Sequence, residues 1–580
     1  MTRLGLLGIA AAVPLGFSGS LDDGTALPKL LLFALSACAL AWGAAFKKKG
    51  PESLRTPLDL PLLALSLVLL LSAALSVDPW VSLLGQHRVR VWGLLQAALC
   101  AAAFYAARWG AEPSDGRLFL RACLAAGALV GLHALLQRAG VEPLPGFPAV
   151  SQGRPYSTLA TPVLLGAWLL MLPAPALHLM RSEERADRAL AWAGLPLIAA
   201  ALFLTQSRAA WLGAAAAAAA YLVLGSKERR PSPKTLLLAG ALLLGAVAAV
   251  SFLRKTSFVD AARWELWKTG WRAFLEHPWL GSGPDTFLWA YRAHKTARLY
   301  ELMGAFRSQS FAHNDLVQAL STTGLLGAAA CLWLVWAAAL GAWRALGEGE
   351  ERSLRAALAA SLLGLFVQLK FDPCSIASLA LASVFAGLLF AAPPVPVGRR
   401  AAPFSAVLLC ALGVLAAGAL CRADAFYRRW RVASASGRPA EALAHLERAA
   451  RADPYELQYR WDLSIALFNA SDAAGGAEEK LRLVREAAAE ADEAARLHPL
   501  DARALELKGY TRIWLARLTG PEPLAEAERL LDQAQALDPT YPPVMKARLQ
   551  LARRRKDAGK ASSLGERLKT LSAEPAYGSY

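Results

Sequence analysis

The chain has 580 residues, 56% hydrophobic and 18% charged, with a formal net charge of +17. Its mean hydropathy is +0.34, which at this length excludes an ordinary soluble globular protein and indicates a polytopic α-helical membrane protein. Much of the positive excess sits in short loops between apolar runs, with no basic helix or aromatic RNA-binding signature, so membrane orientation accounts for it and nucleic acid is not a partner.

In chain order, apolar runs fall at about 4–18, 29–46, 58–76, 90–107, 117–137, 159–179, 189–205, 209–225, 235–253, 315–343, 355–371, 375–391 and 403–421. Most have the length that carries a helix across a hydrocarbon core of roughly 30 Å. The first follows Met1-Thr2-Arg3, is short and contains Pro14; it resembles a signal peptide without a clear cleavage site. The pattern predicts an all-α protein with two domains. Residues 1–423 form a transmembrane domain of about 12–13 helices, with a large outer loop at 254–314. Residues 424–580 form a soluble helical domain.

Six of the seven cysteines, Cys38, Cys100, Cys123, Cys331, Cys410 and Cys421, lie within apolar runs, and Cys374 sits at a short loop. None pairs at metal-ligand spacing, so they read as small apolar core residues.

Alternate loops carry Lys47-Lys48-Lys49 with Arg55, Arg108 with Arg117, Arg181 with Arg185 and Arg188, Lys227 with Arg229, Arg230 and Lys234, Arg344 with Arg352 and Arg355, and Arg399-Arg400. All face the cytoplasm if the N-terminus is cytoplasmic and every run spans. The loop at 254–314 and everything after residue 421 then lie outside, at the periplasmic face of a bacterial inner membrane. Arg88, Arg90, Arg154, Arg208, Arg254 and Arg263 fall on that outer face against the bias. Guanidinium forks from separate loops suit a shared anionic group such as a pyrophosphate.

After Cys421 the composition turns to Ala, Glu, Arg and Leu at helical period. Three segments end alike, at Asp453-Pro454, His498-Pro499 and Asp538-Pro539, each followed by another amphipathic helix. The prolines are 45 and 40 residues apart, longer than the standard period of about 34, and the pattern resembles tetratricopeptide repeats with insertions. Such an array implies a concave docking surface for a protein partner or an acceptor.

Three motifs stand out. Thr205-Gln206-Ser207-Arg208-Ala209 forms a tight polar turn between two apolar runs. The outer loop carries Arg263-Trp264-Glu265-Leu266-Trp267 and then His277-Pro278-Trp279-Leu280-Gly281-Ser282-Gly283-Pro284-Asp285. The next run opens with His313-Asn314-Asp315-Leu316 and continues to Gly324-Leu325-Leu326-Gly327. Order and spacing resemble the O-antigen ligase and polymerase family over roughly residues 60–395. Fainter matches lie at Pro79–Gly85 with Arg88 and Arg90, and at Gly153-Arg154-Pro155-Tyr156, where Ser157 and Thr161 depart from the family's pattern.

The resemblance implies a metal-independent transferase without cofactor. It would move a glycan from an undecaprenyl-pyrophosphate carrier to the hydroxyl of a lipid A core, a growing glycan or a protein, acting as ligase, polymerase or O-oligosaccharyltransferase. Consistent with this, the outer loops contain no paired carboxylates at metal spacing, no Gly-rich phosphate loop and no dinucleotide fingerprint. In this reading His313 is the general base, and Arg208 and Arg263 hold the pyrophosphate. Arg88, Arg90, Arg154, Tyr156, Asp285 and Asn314 are the candidate substrate-binding residues. Asn314 also suits a helix cap, and His277 and the motif glycines read as structural. Trp264, Trp267, Trp271 and Trp279 fit either an interfacial belt or a sugar-stacking wall. The rival readings are a polysaccharide transporter, against which stand the absence of matching halves and the scarcity of mid-span ionisable residues, and a non-catalytic envelope scaffold.

Overall fold

The computed structural model describes residues 1–47, 49–51, 55–144, 153–225, 231–252, 257–304, 308–346, 351–391, 394–396 and 401–572. Lys48, Lys227, Arg229, Arg230, Arg254, Arg399 and Arg400, counted above among the loop cations, lie outside them. The elements in order are α1 (Thr2–Leu7), a π-helical turn (Gly8–Ala12), α2 (Val13–Leu15), α3 (Ala26–Ala45), β1 (Lys49–Pro51), α4 (Asp59–Ala74), α5 (Pro79–Leu84), α6 (Leu94–Gly110), α7 (Pro113–Arg138), α8 (Pro162–Leu169), α9 (Pro173–Leu179), α10 (Arg185–Leu204), α11 (Arg208–Leu224), α12 (Pro233–Phe252), α13 (Ser257–Glu276), α14 (Phe287–His294), α15 (Ala297–Met303), α16 (Asp315–Ala345), α17 (Glu351–Leu369), α18 (Ile376–Leu389), β2 (Pro394–Pro396) and α19 (Ala401–Ala435). Seven more helices follow: α20 (Pro439–Ala452), α21 (Leu457–Ala473), α22 (Ala477–Leu497), α23 (Ala502–Thr519), α24 (Pro523–Leu537), α25 (Pro542–Arg554) and α26 (Ala558–Ser572).

Among the described residues the protein is all-α apart from the three-residue β1–β2 pairing, and the apolar runs form helix because only a helix satisfies a lone segment's backbone inside hydrocarbon. Among the described residues, eight helices are long and apolar enough to cross a membrane, and α4, α11, α18 and the N-terminal Thr2–Leu15 segment are shorter apolar helices. That N-terminal segment packs into the bundle: Leu6, Ile9 and Val13 are fully buried, and Arg3 pairs with Asp115 at 2.8 Å. α11 and α17 meet backbone to backbone, since a Cβ on Gly213 would lie 2.6 Å from the Gly364 carbonyl and the reverse holds equally. By contrast, α12 turns Leu237 and Leu244, 76% and 73% exposed, outward, as a lipid-facing helix would.

Loop-to-loop contacts sort the connections into two faces. On one, Lys47 donates to the Gly110 carbonyl at 2.7 Å, β1 pairs with β2, Arg121 pairs with Asp187 and Arg352 donates to Leu224 at 3.2 Å. On the other, Arg154 meets Thr205, Gln86 meets Asp285, and His313 and Arg263 meet Asp372. The alternation matches a chain that crosses at each apolar run.

One continuous helix, α19, passes through the expected boundary at 423/424. Its first half packs on α3, and its second half supplies Ala423 and Tyr427 to the core of the helical array, beside Leu446, Tyr459 and Leu463. From α20 to α26 each helix packs on the next, so the array grows out of a membrane helix and is not hung on a linker. It also docks back onto the loops of the His313 face. Trp80 stacks on Tyr455 with centroids 3.6 Å apart, His498 bonds Asp78 at 2.6 Å, and Arg292 pairs with Asp501 at 2.9 Å.

Candidate active site

The segment before α16 is held from three sides. Trp267 of α13 donates its indole N–H to the Ala312 carbonyl at 3.1 Å, and the Ala312 N–H donates to Gln318 Oε1 at 2.8 Å. Asn314 caps α16: its Oδ1 accepts from the N–H groups of Leu316 and Val317 at 3.0 and 3.1 Å, satisfying two donors that have no helical partner. Its Nδ2 donates to the Lys370 carbonyl at 3.0 Å, and Asp315 pairs with the Lys370 ammonium at 2.6 Å. These bonds fasten the start of α16 to the loop between α17 and α18.

Between those anchors His313 adopts a left-handed backbone conformation, φ +53°, which a non-glycine residue holds only where its surroundings enforce it. Its Nδ1 lies 2.9 Å from Asp372 Oδ1. Arg263 Nη2 reaches the same oxygen at 2.8 Å. Burial alone would raise the Asp372 pKa, but the hydrogen bond from His313 and the Arg263 charge outweigh it and hold the carboxyl below its ordinary range. An ionised carboxylate only accepts, so His313 Nδ1 carries the proton of this bond.

Arg154 Nε and Nη2 both donate to the Thr205 carbonyl, at 2.9 and 2.7 Å, in the turn whose Ser207 caps α11 through a bond from the Ala210 N–H. Burial lowers the Arg154 pKa, opposed by the charge of Asp372; the guanidinium still stays charged. Arg208 is the first residue of α11. Since α11 lies along α17 through Gly213 and Gly364, Arg208 stands at the same end of the bundle as the loop carrying Asp372.

The Gly-rich loop has a different task. Gly324 breaks α16 with φ 67° and ψ −166°, and the loop at 277–285 is plugged into the break. Leu325 and Leu326 N–H groups donate to the carbonyls of Pro278 and Trp279, at 2.8 and 3.2 Å. Ser282 and Gly283 N–H groups donate to the carbonyls of Ser321 and Thr322, at 3.0 and 2.8 Å. The bonds lost by kinking the helix are thus remade with the loop, as a buried break in an apolar setting requires. A Cβ on Gly281 would lie 2.3 Å from Thr322 C, and one on Gly324 2.3 Å from Trp279 C; only glycine fits at either.

The other candidates lie elsewhere. Asp285 is fully buried and accepts from the Gln86 N–H at 2.9 Å; burial pushes its pKa up to about 6 against backbone hydrogen bonds. It anchors the loop of residues 85–92. Arg88 pairs with Asp22, while Arg90 donates to the Leu84 carbonyl at 3.3 Å and lies 3.8 Å from Glu456 of the helical array. Tyr156 is 8% exposed, with its N–H on Gln137 Oε1 at 3.2 Å. The structure therefore gathers His313, Arg263 and Asp372, sets Arg154 and Arg208 at the same end, and assigns Arg88, Arg90 and Asp285 to contacts within and between domains. In the sequence Asp372 is a lone acid before Pro373 in a loop, able to orient an arginine or the acceptor but with nothing to name its partners. Trp264, Trp271 and Trp279 are 58%, 52% and 65% exposed.

Residues 193–332 match the family model described as O-antigen ligase. The matched segment includes Arg208, Arg263, His313 and Gly324, and stops short of Asp372 and of the helical array. No curated protein matches the chain.

Proposed function

We propose that the protein is a lipid-linked glycan transferase, acting like an O-antigen ligase, in a bacterial inner membrane with its site on the periplasmic side. The donor is a glycan on undecaprenyl pyrophosphate, and the acceptor is a hydroxyl of a second glycan or lipid-linked sugar. The observation that carries the mechanism is the Asp372–His313 pair with Arg263 on the same carboxylate oxygen. Asp372, a positioning residue, fixes the His313 tautomer, and His313 Nε2 takes the proton of the acceptor hydroxyl. The acceptor oxygen bonds to the anomeric carbon as the carbon–phosphate oxygen bond opposite it breaks, which inverts that centre. The electron pair leaves on the pyrophosphate, whose growing charge is met by guanidinium groups that are already in place.

Arg263 is bound to Asp372, so it both balances that buried carboxylate and presents the rest of its fork to the donor. Arg154 and Arg208 complete the cationic edge. The segment matching the O-antigen ligase model spans most of these groups. The test is transfer in proteoliposomes from the lipid-linked donor. His313→Ala is expected to insert normally and to lose roughly 10²–10⁴-fold in rate; a normally inserted His313→Ala with unchanged transfer overturns the mechanism.

A further inference from the structure

A cavity of about 410 Å³ lies between the loops of the His313 face and the helical array. The volume is in the range of sites that hold small ligands, roughly 300–1,000 Å³. Neither domain encloses it alone: Gln86, Thr286 and Trp289 come from one side, and Tyr427, Tyr455 and Gln458 from the other.

The charged groups around it already have partners, Asp285 through the Gln86 N–H at 2.9 Å. Asp501 holds both Arg292 and Arg503, at 2.9 and 3.0 Å, His498 bonds Asp78, and Glu456 faces His87 at 3.4 Å. A charged ligand would have to compete with these contacts, which are already formed. Apart from Asp285 Oδ1, what remains on offer is neutral: aromatic rings, amides and hydroxyls. Gln86 Oε1 and Trp289 Nε1 are buried without a hydrogen-bond partner. Rings beside hydrogen-bonding amides suit a molecule with apolar C–H faces and hydroxyl edges.

The cavity is also tied to the active site. Gln86 Nε2 donates to Ser310 Oγ at 2.8 Å, and Ser308 forms part of the wall. The five steps from Ser308 to His313 reach at most roughly 17 Å when extended, so a short oligosaccharide spans from one site to the other.

We infer that this cavity binds a neutral, hydroxyl-rich saccharide segment of one of the two glycan substrates. The inference rests on the glycan-transfer reading for its ligand class, but its first test needs no turnover. Full-length His313→Ala protein in nanodiscs is titrated with oligosaccharide released from the host's own envelope glycan, and binding is read by saturation-transfer NMR. Ser308→Trp and Leu500→Trp, at exposed wall positions on opposite sides, plug the cavity independently. Each is expected to weaken binding at least tenfold. Absent binding to the unplugged protein, or equal binding to both plugged forms, overturns the inference. With His313 restored, each plug is expected to raise one KM about tenfold while kcat changes less than twofold. A rise for the acceptor assigns the cavity to the acceptor glycan, and a rise for the donor assigns it to the donor glycan. If neither KM moves, the cavity is not a substrate site. Undiminished transfer by His313→Ala would fail the proposed mechanism while leaving the binding result to stand.

Discussion

His313 Nδ1 sits 2.9 Å from Asp372 Oδ1 although 59 positions separate them in the chain. Two helices, α16 and α17, intervene, and their ends on this face are bolted together by Asn314, Asp315 and Lys370. The pairing is therefore a product of the bundle and not of either loop alone.

Replacing Asp372 with asparagine keeps the size of the side chain but removes the charge that fixes the histidine tautomer. Transfer is expected to fall roughly 10²–10⁴-fold with little change in the KM for donor. Kinetics in proteoliposomes check this; an Asp372→Asn enzyme within twofold of wild type would remove Asp372 from the mechanism. Arg263→Lys, which keeps charge but loses the fork, should fall between wild type and Arg263→Ala.

Gly324→Ala puts a Cβ against the Trp279 backbone and a side chain at positive φ. The strain should cost about 1–3 kcal/mol, separate the loop at 277–285 from the kink, and lower the thermal midpoint in detergent. An unchanged midpoint would mean that the loop and the kink are not coupled.

The docking of the helical array should depend on pH. Burial alone would lower the His498 pKa, but Asp78, with Asp501 and Glu456 nearby, raises it overall. His87 is likewise raised, with burial outweighed by Glu456 and Asp424 against the opposing charge of Arg90. Raised values mean that the docked state binds protons which the separated state releases. Their contribution is full below about pH 6.5, the ordinary histidine value, and is lost as pH climbs through the raised values. Hydrogen exchange around residues 76–90 and 453–460, corrected for intrinsic rate, should show protection falling several-fold toward pH 8.5. Protection that stays level or rises would contradict the assignment.

Orientation is checked at Arg298, whose side chain is 60% exposed on the His313 face. In a background lacking the seven native cysteines, Arg298→Cys should react with a membrane-impermeant maleimide in intact spheroplasts. Reaction only after permeabilisation would place the site in the cytoplasm.

The membrane helices, their alternation and the motifs around Arg208, Arg263 and His313 were legible in the sequence because they are local. Hydrophobic length is read over one span, loop charge over one connection, and a cap or a positive-φ glycine over a few residues. The sequence also marked Gly281 and Gly324 as special without showing that each exists for the other; their bond exchange crosses two chain segments. The arginines looked alike on paper. Folding divides them, sending Arg90 to Glu456 of the helical array and Arg263 to Asp372. The continuity of α19 across the composition change, the role of Asp372 and the cavity between the domains were decided only in three dimensions. Each depends on which helices become neighbours, and pairing between distant segments leaves no period, spacing or compositional trace along the chain.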